Sequence, residues 1–291
     1  MEALRQKGNS VALAETLASL PWYDLREVRA ANDALWDRVA SELRARGVVH
    51  VPIGLDRSVH YETQWTSPRF LFGQACGYDV RIAHADRLQL VAVPCYTAPG
   101  CEGPTYRSFI VVREDSTYEQ LEDLRGARSV VNSPTSHSGM NILRDMVAPL
   151  HEDGKFFGSI EVSGSHEASL AMLSRQRVDV AAIDCVTFAL LERHRPAALS
   201  GLRVLVETEP HAAPPFVTGA TTSEETVRLL QDALVVALRD RRLRDVFDSL
   251  LLGGIEMLPA SAYQSIESAE LRARQLGYGE MPGNSSRRAE S

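Results

Sequence analysis

Lysine is almost missing from this chain of 291 residues, since of its 31 basic residues only Lys7 and Lys155 are lysines. One lies close to the start and the other in a Gly-Lys turn, so neither suits Schiff-base chemistry, which needs a desolvated amine. Cysteine is scarce too: Cys76, Cys95, Cys101 and Cys185 form no Cys-x-x-Cys and have no histidines at metal spacing. No metal site is expected, and free thiols are the expectation. Only Cys101, in a Gly-Cys-Glu-Gly loop, is placed to reach Cys76 or Cys95 where the surroundings are oxidising. Long apolar runs are missing as well. Val11 to Ala14 stops at Glu15, short of a signal-peptide core, and no later stretch approaches the ~20 residues of a membrane span. As written, the chain is expected in the cytoplasm, or in the periplasm where a leader has been removed. There is no excess of positive charge either. With 38 acidic residues and a net charge of −7, nothing provides a field for nucleic acid.

What is present is 44% hydrophobic and 24% charged residues, enough for two compact lobes. Ala12 to Leu20 reads as a strand ending at Pro21. A helix follows with Val28, Leu35, Trp36, Val39 and Leu43 on one face, and Gly47 stops it. Val48–Ile53, Leu71–Ala75, Leu88–Tyr96 and Tyr106–Arg113 read as further strands, with a polar and aromatic loop, His60 to Trp65, among them. From Ser116 the pattern alternates: helix Tyr118–Leu124, strand Ser129–Val131, helix to Leu150, strand to Val162, helix, strand Val178–Ile183, helix Val186–His194, strand Leu202–Glu207. Such alternation implies a parallel sheet covered on both faces. Phe216–Gly219 is a short strand, Thr222 and Glu225 form a capping box, and a last helix, Leu243–Leu251, ends at Gly253-Gly254. The Pro/Gly stretches 97–104 and 210–215 read as two crossovers. The expectation is therefore an α/β fold of two Rossmann-like lobes with mainly parallel sheets: 1–113 with 211–278, then 114–210, and a disordered tail at 279–291. A ligand cleft between the lobes, closed by hinge motion, follows from that arrangement.

Two strand-to-helix junctions carry the chemistry. Asn132 to Gly139 is a Ser/Thr/His-rich loop, and Ser163 to Glu167 repeats Ser, Gly and His one βα unit later. A helix start leaves amide N–H groups without partners and carries partial positive charge, so it receives an oxyanion. Ser136, His137 and Ser138 add donors, and Gly139 lets the backbone come close. Asp184 stands at the carboxyl end of a strand, the end that faces the ligand crevice in open α/β sheets. Each feature alone is equally an ordinary cap, and their shared placement favours a site.

Tyr106 to Val112, Ser136-His137-Ser138-Gly139, Gly164 to Leu170, Val178 to Asp184 and Leu20 to Asp24 come in an order and spacing that resembles the phosphonate/phosphate-binding proteins of ABC transporters. The resemblance runs from about Leu13 to about Leu258. It implies the type II periplasmic-binding fold and a solute-binding protein, not an enzyme, that needs no cofactor. Its ligand is expected to be a small oxyanion: a phosphonate, a phosphate or a phosphate ester, with a zwitterion as the variant that Asp184 suggests. Carried over, the site residues are Tyr23, Tyr106, Ser136, His137, Ser138, His166 and Asp184, with Trp22 and Ser108 beside them. The implied partner is an ABC permease. The alternatives are a ligand-sensing domain that reports to a signalling protein, and an enzyme using Ser136, His166 and Asp184; against the enzyme, there is no Gly-x-Ser-x-Gly, Ser-x-x-Lys or metal motif. His137 stands where that family more often has a small hydroxyl residue, and an imidazole there changes size and charge at the anion loop.

Overall fold

The computed structural model describes residues 16–279. Residues 12–15 of the expected first strand and all of the expected tail except Gly279 lie outside the described residues.

The described strands are β1 (Leu17–Ser19), β2 (Phe70–Gln74), β3 (Leu88–Tyr96), β4 (Thr105–Tyr106), β5 (Ser108–Arg113), β6 (Arg128–Val131), β7 (Ser159–Val162), β8 (Val180–Asp184), β9 (Leu202–Glu207), β10 (His211–Ala212), β11 (Phe216–Gly219) and β12 (Leu252–Glu256). The α-helices are α1 (Arg29–Ala45), α2 (Tyr61–Trp65), α3 (Ile142–Val147), α4 (His166–Ser174), α5 (Cys185–His194), α6 (Glu224–Arg239), α7 (Arg244–Ser249) and α8 (Gln264–Gln275). One five-stranded sheet has the order β1-β2-β11-β3-β12 and the other β7-β6-β8-β5-β9, with β4 and β10 forming a small ribbon between them.

The sheets are mixed rather than mainly parallel, for a reason that lies in the crossovers. A strand of a βα unit ends at the cleft, whereas a strand arriving directly from a crossover starts there. It must therefore run the opposite way. Ser108, the first residue of β5, pairs with Asp184, the last of β8, and β5 is antiparallel to both its neighbours. Phe216, the first residue of β11, likewise pairs with Gln74, the last of β2. Strand β5 thus belongs to the second sheet, although the sequence expectation placed it, up to residue 113, in the first lobe. Its Ile110, Val111 and Val112 are fully buried, as is all of β8, because helices cover both faces.

Several expected elements differ. Val48–Ile53 is no strand, and His50 within it takes a left-handed backbone with φ of 59°. Pro52 has no N–H to offer a ladder, and side chains take the carbonyls instead: Trp36 Nε1 donates to Pro52 at 3.3 Å, and Arg44 Nη2 to Val51 and Pro52 at 3.2 and 2.8 Å. His60 to Trp65, expected as loop, contains α2. The expected helix Tyr118–Leu124 is only a 3₁₀ turn, Leu121–Leu124. The cap of α6 is Ser223, whose hydroxyl accepts from Thr226 N–H at 3.2 Å, while Thr222 instead meets the Thr218 hydroxyl at 2.8 Å. Gly253 and Gly254 do not end the last helix; they lie inside β12, where a Cβ on Gly253 would stand 2.8 Å from Thr97 Cγ2. Helix α8, which the sequence reading does not contain, packs on α3 of the second unit. Asn141 Nδ2 donates to the Ile266 carbonyl at 3.0 Å, and the Arg144 and Glu270 side chains lie 3.8 Å apart in the interior.

Candidate functional site

A cavity of ≈ 240 Å³ opens between the carboxyl ends of the two sheets. One wall comes from the loop after β1, with Trp22 and Tyr23, and from Tyr61 and Asp79. The other comes from the β6–α3 and β7–α4 junctions and the end of β8, with Ser136, Ser138, His166 and Asp184.

The loop after β6 enters its helix through Ser136, whose backbone is extended (φ −80, ψ 131) and whose Oγ accepts from Gly139 N–H at 3.0 Å. The turn that follows, His137–Asn141, is π-helical before α3 begins. This wide turn separates neighbours that the sequence groups together. Ser138 faces the cavity, and its Oγ lies 2.9 Å from His166 Nε2 and 3.5 Å from Ser136 Oγ. His137 does not line the cavity, contrary to its expected place in the anion loop. Its ring lies 1% exposed, edge-on to His211 with centroids 4.4 Å apart, and its Nδ1 is 3.2 Å from Asn141 Nδ2. Burial, and then the His211 ring, push its pKa well down, so the imidazole is neutral. Its backbone N–H points to Cys76 Sγ at 3.3 Å. Gly139 is needed for crowding rather than for a ligand, since a Cβ there would fall 1.8 Å from Asn132 Oδ1.

His166 opens α4 behind its cap Ser165, which accepts from Ala168 N–H at 3.1 Å. His166 Nε2 also lies 3.4 Å from Asp184 Oδ2, while its Nδ1 is buried with no partner among the described residues. Burial lowers its pKa, and Asp184 works against that. Asp184 has two duties: Oδ1 caps α5 by accepting from Thr187 N–H at 2.8 Å, and Oδ2 faces the histidine. Ser138 and Asp184 therefore meet the same ring nitrogen. A nucleophilic relay requires the serine on one nitrogen and the carboxylate on the other.

Tyr23 is 6% exposed, packs edge-on to Tyr96 at 5.1 Å, and has a hydroxyl without a partner among the described residues. Burial raises its pKa far above the ordinary value, so it stays a neutral donor. Trp22 stacks on Trp65 at 5.9 Å and lies 4.9 Å from Tyr61, making an aromatic side to the cavity. Tyr106 and Ser108 do not line it. Tyr106 sits behind Ser138 with its hydroxyl on that side chain, and the Ser108 N–H donates to Thr208 Oγ1 at 2.9 Å.

Asp79 and Tyr61 line the cavity and were not singled out in the sequence. Asp79 is 2% exposed; Oδ2 accepts from Cys76 N–H at 3.2 Å and Oδ1 has no partner among the described residues. Burial pushes its pKa up to about 7. The signal was available, because Asp79 follows β2 as Asp184 ends β8, at a strand's carboxyl end. At the rim, Arg195 of the second unit holds Glu27 of the first through Nε and Nη2, at 2.8 and 2.9 Å, and also meets Glu167. Among the described residues no group of three or more His, Cys, Asp or Glu is placed to hold a metal ion.

A family model described as "ABC transporter, phosphonate, periplasmic substrate-binding protein" matches residues 17–263. Among solved structures, the chain resembles a binding protein component of an ABC phosphonate transporter from Pseudomonas aeruginosa, at 16% identity and a TM-score of 0.72, over 91% of this chain and 88% of that one. It also resembles PhnD1 from Prochlorococcus marinus in complex with methylphosphonate, at 15% identity and a TM-score of 0.69, over 91% and 98%. A third likeness is to a Xanthomonas citri protein bound to ATP, at 13% identity and a TM-score of 0.68, over 92% and 100%. At these identities the structures speak for the fold. No curated protein sequence matches the chain.

Proposed function

Because the chain belongs to the family of periplasmic substrate-binding proteins of phosphonate ABC transporters, we propose that its cavity holds the oxyanion head of a phosphonate between the Ser136–Ser138 turn, His166 and Tyr23. The observation that carries this reading is the convergence of neutral donors from both units on one small cavity. Tyr23 offers a hydroxyl without a partner, and Ser138 and His166 stand at two helix starts. Donors fixed beforehand, and helix ends with unpaired amides, suit a charged oxygen cluster more than an apolar ligand. Asp79 and Asp184 on opposite sides favour ligand atoms that bring protons, either a protonated phosphonate oxygen or an ammonium group. The volume suits a compact molecule.

Capture without turnover is the reading that the histidine geometry supports, since Ser138 and Asp184 share Nε2. Family membership implies delivery to an ABC permease in the periplasm. No helix among the described residues is long and apolar enough to cross a membrane.

Calorimetry with methylphosphonate, phosphate and sulfate, together with native mass spectrometry for a carried ligand, tests the proposal. One oxyanion should bind at one per chain and leave unchanged. Ser138→Ala should weaken it by about 1–3 kcal/mol through the lost buried donor. Unaltered affinity in that variant, or appearance of a hydrolysed product, would sink the reading.

A further inference from the structure

We propose that Cys101 and Cys185 are a cross-linking pair, which a disulfide oxidant joins so that the first crossover is tied to the N-terminal end of α5. The two sulfurs lie 3.4 Å apart although the residues are 84 positions apart in sequence. Both are free thiols. The sequence expectation offered Cys76 or Cys95 as partners for Cys101, but those lie elsewhere. Cys76 Sγ receives the His137 N–H, and Cys95 Sγ faces Glu256 at 3.9 Å.

The approach is built by the backbone. Cys101 closes a turn in which its N–H donates to the Ala98 carbonyl at 3.0 Å, and Cys185 opens α5 with its N–H on the Arg107 carbonyl at 3.0 Å. Between them, Gly100 has φ +91, and a Cβ there would stand 3.1 Å from both Cys185 Cβ and Arg107 Cγ. Only a glycine lets this turn lie so close to the start of α5. Cys185 directly follows Asp184, so the bond fastens a wall of the cavity to the strap that joins the two units.

The thiol of Cys101 is pushed up, first by its hydrogen bond with Cys185 and then by burial, so its thiolate is a minor species and the exchange is slow, quickening as pH rises. With oxidised glutathione the exchange has two steps. The thiolate of Cys101, the more exposed of the pair, attacks one glutathione sulfur, forms a mixed disulfide and releases one glutathione thiolate. The thiolate of Cys185 then attacks Cys101 Sγ and releases the second. The two cysteines lose two protons and two electrons, and one glutathione disulfide becomes two thiols. The family is described as periplasmic, a compartment in which such bonds form and persist.

The experiment treats the whole chain with oxidised glutathione at mildly alkaline pH, alkylates the remaining thiols, and maps peptides by mass spectrometry without reduction. Hydrogen exchange is followed on the same samples. The expected product is a single internal cross-link between the peptides carrying Cys101 and Cys185, two hydrogens lighter than the dithiol, with exchange at the Cys101 amide slowed roughly tenfold. Cys101→Ser should show neither change; this half-buried position is the control because Cys185 is wholly buried and its replacement risks the fold. A cross-link through Cys76 or Cys95, a lasting glutathione adduct on Cys101 beside a free Cys185, or two free thiols after treatment would each overturn the proposal.

Discussion

At Asp79 two effects oppose one another. The Cys76 N–H at 3.2 Å favours the carboxylate, whereas burial in a nearly closed position disfavours it, and burial wins, raising the pKa from 3.8 to about 7. The unfolded chain gives up this proton near pH 4 and the folded chain only near pH 7. Between those values the folded state holds the extra proton, so stability falls as pH rises, by about 1.4 kcal/mol per unit and on the order of 4 kcal/mol in all. Asp79→Asn keeps the shape and removes the proton. In urea unfolding across that range, the variant should gain on the parent protein steadily from pH 4 to 7 and stay level above. Parallel curves would show that Asp79 is already charged. Ser138, His166 and Asp184 were legible as residues because polar side chains at strand carboxyl ends are few and conspicuous. Asp79 followed the same rule but stood in no Ser/Gly/His cluster to attract notice.

At the scale of elements, the β6–α3 junction shows what a sequence pattern hides. Ser136, His137 and Ser138 look equivalent in the chain, yet the π-helical turn sends Ser138 to the cavity and His137 into the interior against His211. No residue spacing announces a π turn. Strand β12 was illegible because its Gly253 and Gly254 read as a helix stop, and α8 because its placement depends on contacts with α3 that are distant in sequence. The βα alternation of the second unit was legible because each element buries its own apolar period. The same junction supports a prediction. Gly139→Ala puts a Cβ on Asn132 Oδ1, and behind it lies His166 Cε1 at 3.3 Å. The asparagine has to move and the histidine with it. The variant should lose roughly 1–3 kcal/mol in thermal or urea unfolding, as overpacked positions do, and bind oxyanion more weakly. Gly54→Ala meets no atom within 4 Å and has no left-handed backbone to strain, so it serves as comparison. Equal losses in both variants would mean that crowding at Gly139 is relieved cheaply. A second test follows from His137 and His211, whose pKa values are both lowered, first of all by burial. The unfolded chain binds these protons below about pH 6.5 and the folded chain resists them, so the contribution of this pair to stability declines as pH falls below that value, opposite in sign to that of Asp79. In thermal unfolding, His211→Gln should gain on the parent protein as pH falls below that value, and parallel curves would place the acid sensitivity elsewhere.

In the whole molecule, the contacts that hold the two units face to face join residues far apart in the chain, which no local pattern can forecast. Arg195 and Glu27, 168 positions apart, form a two-pronged ion pair between the units, and Arg193 reaches Asp248 in the same direction. Arg195 holds the Glu27 carboxylate well below the usual range, to about 2, and its third contact, with Glu167, sits on the cavity rim. If the proposed capture closes the units on the ligand, a contact such as this one, made between them, raises apparent affinity by raising the closed population. Arg195 is 27% exposed, which limits the pair to about 1 kcal/mol, or roughly fivefold in affinity. Arg195→Gln removes the charge and one prong. It should weaken oxyanion binding by that factor at low salt and by less at high salt, where screening has already weakened the parent's ion pair. Small-angle scattering of the ligand-free variant should show a larger radius than the parent, and ligand should restore the parent's value. Equal affinity at low salt with an unchanged radius would mean that closure rests on α8 and the β4–β10 ribbon instead, with the arginine contributing nothing to it.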